Sequence, residues 1–154
     1  MDALVVSDSH GILNNLTRII EREKNCQTVF FLGDGARDID SCKVRYPDRR
    51  FVCVKGNNDW GSEEETEAYQ YIEKNTVIAV HGHLFGVRYG LSELAAKAES
   101  VRANVAFYGH THIADTAFIR GICLVNPGAV CEGRYAVVTL NADGPFPCLK
   151  SLYE

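Results

Sequence analysis

Three short apolar runs, Ala3 to Ser7, Thr28 to Leu32 and Phe51 to Val54, punctuate the N-terminal part of the chain, and the segments between them carry apolar residues at helical spacing. Leu13, Leu16, Ile19 and Ile20 would share one helical face, with Asn14 or Asn15 as the cap and an end near Lys24-Asn25. A weaker helical pattern passes through Ile39 and Val44 and closes at Pro47. Strands that alternate with helices lie parallel and are joined by right-handed crossovers, because a tight turn cannot join parallel neighbours. This alternation predicts an α/β architecture for the first half of the chain.

Each run stops at residues that carry chemistry. They are Asp8-Ser9-His10-Gly11, Gly33-Asp34-Gly35 and Gly56-Asn57-Asn58-Asp59. Two later runs behave in the same way: Thr76 to Val80 ends at His81-Gly82-His83, and Asn104 to Tyr108 ends at Gly109-His110-Thr111-His112. Ligand sites in parallel sheets collect at the carboxyl ends of the strands. Residues i and i+2 of extended backbone point to one side, so His110 and His112 can aim at one volume. The chain has only five histidines, and all of them stand at such ends. Asp8, His10, Asp34, Asn57, His81, His110 and His112 therefore have a physical reason to converge. Two carboxylates, one amide oxygen and four imidazoles suit Mn²⁺, Fe²⁺, Co²⁺, Ni²⁺ or Zn²⁺. Seven donors are too many for one tetrahedral ion, but two ions sharing one carboxylate would use them all.

Beyond the first half, Tyr69 to Ile72 and Thr76 to Val80 read as a hairpin around Glu73-Lys74-Asn75, after a solvated stretch from Gly61 to Glu67. Leu91, Leu94, Ala95, Ala98 and Val101 recur at helical spacing behind Ser92 as cap. The remainder reads as antiparallel: Thr116 to Arg120 and Ile122 to Val125 around Gly121, a turn at Asn126-Pro127-Gly128, a strand from Tyr135 to Leu140, and an edge strand from Cys148 to Leu152 after Pro145 and Pro147.

A length of 154 residues with 46% hydrophobic and 23% charged content predicts one globular domain over residues 1–154. The net charge of -4 argues against a stable nucleic-acid partner, because such domains are usually basic. Six cysteines show no Cys-x-x-Cys spacing, and Cys53 and Cys123 lie inside apolar runs, so reduced thiols in a cytoplasmic protein are expected. The chain opens directly into Leu4-Val5-Val6 and has no stretch of transmembrane length, so neither secretion nor a membrane partner is expected. A homo-oligomer stays open on this reading.

The ordered set Asp8-x-His10, Gly33-Asp34, Gly56-Asn57-x-Asp59, His81-Gly82-His83 and Gly109-His110-x-His112 resembles the motif series of the calcineurin-like metallophosphoesterases. The short length resembles the small bacterial and archaeal phosphodiesterases of that superfamily. The resemblance implies two mixed β-sheets packed as a sandwich and flanked by helices, a four-layer fold. It also implies two divalent ions per chain, with Mn²⁺ first and Ni²⁺, Co²⁺, Fe²⁺, Zn²⁺ or Mg²⁺ as alternatives. Asp8, His10 and His112 would hold one ion, Asn57, His81 and His110 the other, and Asp34 would bridge them. Two departures stand out: Arg37 occupies the place of the second aspartate of the family's Gly-Asp-x-x-Asp motif, with Asp38 one position later, and Asn58 stands where many relatives carry a histidine.

The implied activity is hydrolysis of a small or nucleotide-like phosphodiester by a metal-bridging hydroxide. Asn58, Asp59 and His83 are the candidates for catalytic support: Asn58 beside the leaving group, Asp59 orienting a ligand, and His83 contacting substrate or supporting the centre. The rival expectation is a non-catalytic metal-binding interaction scaffold of the same fold, as the small subunit of the retromer sorting complex is thought to be. A scaffold would be expected to have lost ligand histidines, whereas all seven positions here are filled with ligand-type residues.

Overall fold

The computed structural model describes residues 1–154. The expected alternation takes the form β1 (Asp2–Val6), α1 (Leu13–Arg22), β2 (Thr28–Phe31), α2 (Ala36–Arg45) and β3 (Arg50–Cys53). β1 pairs in parallel with β2, and β2 with β3. The chain continues through β4 (Glu67–Ile72), β5 (Asn75–Val80), α3 (Ser92–Ser100), β6 (Val105–Phe107), β7 (Asp115–Ile119), β8 (Ile122–Asn126), β9 (Arg134–Asn141) and β10 (Gly144–Ser151). The strands form two five-stranded sheets, ordered β10-β9-β1-β2-β3 and β4-β5-β6-β8-β7.

Both sheets are mixed, as the resemblance implied, and the expected antiparallel pairings of β7 with β8 and of β9 with β10 are present; the parallel pairing of β8 with β6 is the departure. β6 lies parallel to β5 and to β8, and only β4 and β7 run antiparallel in that sheet. The helix α3 provides the crossover between β5 and β6, and β9 returns to pair antiparallel with β1 in the other sheet.

Alternation along the strands builds the layers. Ala3 and Val5 join Phe30, Val77, Phe107 and Val125 in a core between the two sheets. The intervening Leu4 and Val6 pack with Leu16, Ile19 and Ile20 of α1 and Ile39 of α2. On the far side, Ile78, Ala106 and Leu124 pack against Leu94 and Ala98 of α3. The result is helix, sheet, sheet, helix. Each fully buried Leu, Ile or Phe in these layers contributes about 1.5–3 kcal/mol. With both faces covered, the central strands read as nearly continuous apolar runs.

Three local expectations change. Asn14 and Asn15 lie within α1 and do not cap it; its cap position is Ile12, without a side-chain hydrogen bond, and the Asn15 amide donates to the Val130 carbonyl. Ser92 is the first residue of α3 and not its cap. The last strand starts at Gly144, four residues before Cys148, and takes in Pro145 and Pro147. It tolerates both prolines because it is an edge strand, hydrogen-bonded only to β9.

All six cysteines are free thiols. Burial pushes the thiol of Cys53 up to about 12 and those of Cys26, Cys42 and Cys123 up to about 11, which leaves them unreactive at neutral pH. No helix is long and apolar enough to cross a membrane.

Candidate metal centre

Five strands deliver the site. The chain leaves the carboxyl ends of β1, β2, β3, β5 and β6 in tight turns that carry Asp8 and His10, Asp34, the Asn57-Asn58-Asp59 segment, His81 and His83, and His110 and His112. Of the nine non-glycine residues with positive φ, five are Asp8, His10, Asp34, His110 and His112, with φ between 44° and 71°. A left-handed residue of this kind costs roughly 1–2 kcal/mol, and such strain persists where the surroundings hold it for a function.

Six of the seven expected donors meet. His112 Nε2 lies 3.2 Å from Asp8 Oδ1, and His10 Nε2 lies 3.4 Å from the same oxygen and 3.1 Å from His112 Nε2. His81 Nε2 is 3.3 Å from Asp34 Oδ2 and 3.9 Å from Asp8 Oδ1, while His110 Nδ1 is 3.2 Å from His81 Nε2. Asp34 Oδ2 is also 3.8 Å from His10 Nε2, so its carboxylate stands between the two histidine groups. Two triads, Asp8–His10–His112 and Asp8–Asp34–His81, each bring their ligand atoms within 4.8 Å of one another.

The donor set passes a direct test of fit for a cation. Asp8 is fully buried, its Oδ2 accepts from Ser7 Oγ at 2.5 Å and from the His110 amide at 3.1 Å, yet Oδ1 has no hydrogen-bond partner. A buried carboxylate oxygen without a partner is costly, and here it faces three imidazole nitrogens. Nδ1 of His81 lies 2.7 Å from the Leu32 carbonyl oxygen, which can only accept. Nδ1 therefore carries a ring proton, which leaves Nε2 as the nitrogen that meets the carboxylates: protonated it donates to Asp34, and on losing that proton it could ligate a metal.

The charges agree with this arrangement. Burial would raise Asp34, but hydrogen bonds from His81 and Asn58 and the charge on His81 outweigh it and hold the carboxyl well below the usual range. Burial lowers His81, but the Asp34 and Asp8 carboxylates outweigh it and raise the imidazole. His83 and His110 are both lowered, by burial first and by proximity to His81 next.

Asn57 is exposed and makes no hydrogen bond within the cluster. Its neighbour Asn58 sits on Asp34 instead, donating its backbone N–H to Oδ1 at 2.9 Å and its side-chain amide to Oδ2 at 3.0 Å. Asp59 gathers four backbone amides, those of Asp34, Gly35, Ala36 and Gly56, at 2.7–3.0 Å. It thereby ties the β2 and β3 turns together and accepts from the first turn of α2. His83 opens the short 3-10 turn His83–Phe85, with its ring centroid 5.4 Å from that of His81 and its buried Nδ1 without a partner.

Several supporting residues were not singled out from sequence. Ser9 Oγ and the Gly11 amide both donate to Asp38 Oδ2, at 2.5 and 2.9 Å, so Asp38 pins the Asp8–His10 turn to α2. Arg88 Nε donates to His110 Nε2 at 3.0 Å. Asn126, read from sequence as a turn residue near the site, is buried and donates to the Gly109 carbonyl and to Thr111 Oγ1. The glycine at 109 is required by close approach: a Cβ there would stand 2.1 Å from Ser7 Oγ and 2.8 Å from Asp8 Oδ2. The signal for Asp38 was present as the displaced aspartate of the second motif; Arg88 carried none.

Comparison with known proteins bears on this geometry. A family model described as the calcineurin-like phosphoesterase superfamily domain matches residues 1–143. A probable metallophosphoesterase of Bacillus subtilis is 31% identical over 151 residues, which cover 93% of this chain and 86% of the relative. A phosphodiesterase of Methanocaldococcus jannaschii is 24% identical over 153 residues, 89% of each chain. Among solved structures, wild-type Vps29 of Entamoeba histolytica in complex with zinc superposes with a TM-score of 0.76 at 19% identity, covering 98% of this chain and 99% of that one. At that identity the likeness is one of fold.

Proposed function

This chain belongs to the calcineurin-like phosphoesterase superfamily, and from that premise we propose that it is a binuclear metal-dependent phosphodiesterase for small or nucleotide-like diesters. The observation that carries the reading is Asp8 Oδ1, buried and without a hydrogen-bond partner among the ring nitrogens of His10, His81 and His112. Asp8, His10 and His112 would hold one ion, His81, His110 and Asn57 the other, and Asp34 would be shared. Two divalent ions so placed would supply Lewis-acid polarisation of the phosphoryl oxygens and a nucleophilic water near neutral pH. Manganese is the first ion to test, and six free thiols suit a reducing, cytoplasmic compartment.

The chain's own residues do the positioning. Asn58 keeps Asp34 ionised, Asp38 and Asp59 hold the strand-end turns, and Arg88 is placed beside His110. Elemental analysis of protein reloaded with Mn²⁺ should approach two ions per chain, with concurrent hydrolysis of bis(4-nitrophenyl) phosphate. A plateau at one ion or fewer with full activity would overturn the binuclear assignment. Two bound ions without hydrolysis of any ester tried would favour the scaffold reading instead.

Asn58 sets a further expectation. Its amide is committed to Asp34 and cannot transfer a proton usefully near neutral pH, while a positioned acid is worth about 10²–10⁴-fold in rate. Aryl diesters should therefore be cleaved far faster than alkyl diesters. Asn58→His should raise the alkyl rates and leave aryl rates nearly unchanged. Equal wild-type rates for aryl and alkyl esters would sink this idea and make His83, whose Nδ1 has no partner, the acid to test.

A further inference from the structure

Trp60 is the only tryptophan of the chain, and it is 91% exposed. An indole left this open to water forgoes a large burial term, which a ligand lying on it would recover. The ring does not stand on a plain surface: it lines an open cleft of about 420 Å³ together with His10, Asp34, Asn58 and Arg37. That volume falls within the roughly 300–1,000 Å³ typical of small-molecule sites.

Arg37 is the second observation. It is exposed on the first turn of α2, and its guanidinium makes no hydrogen bond or ion pair with the protein; only its carbonyl is used, by the Ser41 hydroxyl. A cation at a helix N-terminus is placed against the helix dipole, so nothing in the fold's stability calls for it there. Two acids that line the same cleft face other donors, Asp38 the Ser9 hydroxyl and the Gly11 amide, and Asp59 four backbone amides. An unpaired guanidinium thus coincides with an uncovered aromatic ring in the cleft that Asp34 lines.

We infer that this cleft seats a nucleoside arm of the substrate, with the base lying on Trp60 and a phosphate beyond the reacting one held by Arg37. The inference rests on the phosphodiesterase reading and narrows its substrate class to nucleotides that carry more than one phosphate. Stacking on an aromatic ring tolerates every base, and guanidinium matches phosphate geometry, so the arm is selected by class and not by base identity.

Trp60 is its own probe, since all tryptophan emission comes from this cleft. Metal-loaded protein titrated with ADP should show saturable quenching, AMP should need about tenfold more ligand, and ribose 5-phosphate should not quench. By calorimetry, Trp60→Leu and Arg37→Met should each weaken ADP binding about tenfold, with the metal content of the wild type retained. Both side chains are exposed, so folding is not at stake. No quenching at millimolar ADP, or unchanged ADP affinity in both variants, would overturn the assignment. Quenching without diester hydrolysis would keep the subsite and remove the enzyme reading, and hydrolysis without quenching would do the reverse.

Discussion

Asp34→Asn is expected to lower diester turnover by at least about 100-fold and to reduce bound metal to below one ion per chain, since even residues supporting a ligand are worth about 10–100-fold. The carboxylate lies 3.3 Å from His81 Nε2 and 3.8 Å from His10 Nε2, and accepts both Asn58 donors. A carboxamide keeps the shape but has only one accepting oxygen. If that oxygen stays on the Asn58 backbone amide, the new NH₂ group faces the Asn58 side-chain amide donor, and the negative charge shared between the two histidine groups is gone. His10→Ala makes the contrast, because His10 belongs only to the Asp8–His10–His112 triad. That variant should retain one measurable ion. Wild-type stoichiometry and activity in Asp34→Asn would show that Asp34 is not shared between two ions.

Much of this arrangement was legible in the chain because strand ends mark themselves. An apolar run buried on both faces cannot continue into Asp, His and Gly, so the stopping points of β1, β2, β3, β5 and β6 announced both the sheets and the site. What could not be read depends on backbone direction. Extended geometry predicts that His110 and His112 share a side, yet both adopt positive φ, and they reach the different partners that the resemblance, not the spacing, implied: His81 for one, Asp8 and His10 for the other. The same limit separates Asn57 from Asn58. Adjacent residues in a turn diverge by an angle that the sequence does not specify, and here the second of the pair lies on Asp34. The parallel placement of β6 between β5 and β8 was missed because a three-residue strand carries too little pattern to set its direction. Residues that act from a distance along the chain, such as Asp38 on the β1 turn and Arg88 on His110, become visible only when the crossovers bring the elements together.

Asp59 is such a residue, and its removal should have the largest effect on stability of any change in the site that touches no proposed ion. Its two oxygens take the amides of Gly56 and Asp34 at 2.7 and 2.8 Å and those of Gly35 and Ala36 at 2.9 and 3.0 Å. The turns so joined are already in contact, because a Cβ on Gly56 would fall 2.1 Å from Asp34 Oδ1. Asp59→Ala leaves four donors without their acceptor. Asp59 is only partly buried, so water recovers some of them, and a loss of about 2–4 kcal/mol follows from the cost of unsatisfied amides. For a domain of this size that corresponds to a fall in Tm on the order of 10 °C. Asp59→Asn retains one accepting oxygen and should fall between the two. Because the same carboxylate orients the Asp34 turn, metal affinity should also drop, by about 10–100-fold. Thermal melts of the metal-free chain isolate the stability effect, and metal titration at a temperature where both proteins are folded isolates the second. An unchanged Tm in Asp59→Ala would contradict the four-amide arrangement, and a lowered Tm with wild-type metal affinity would confine Asp59 to joining the turns.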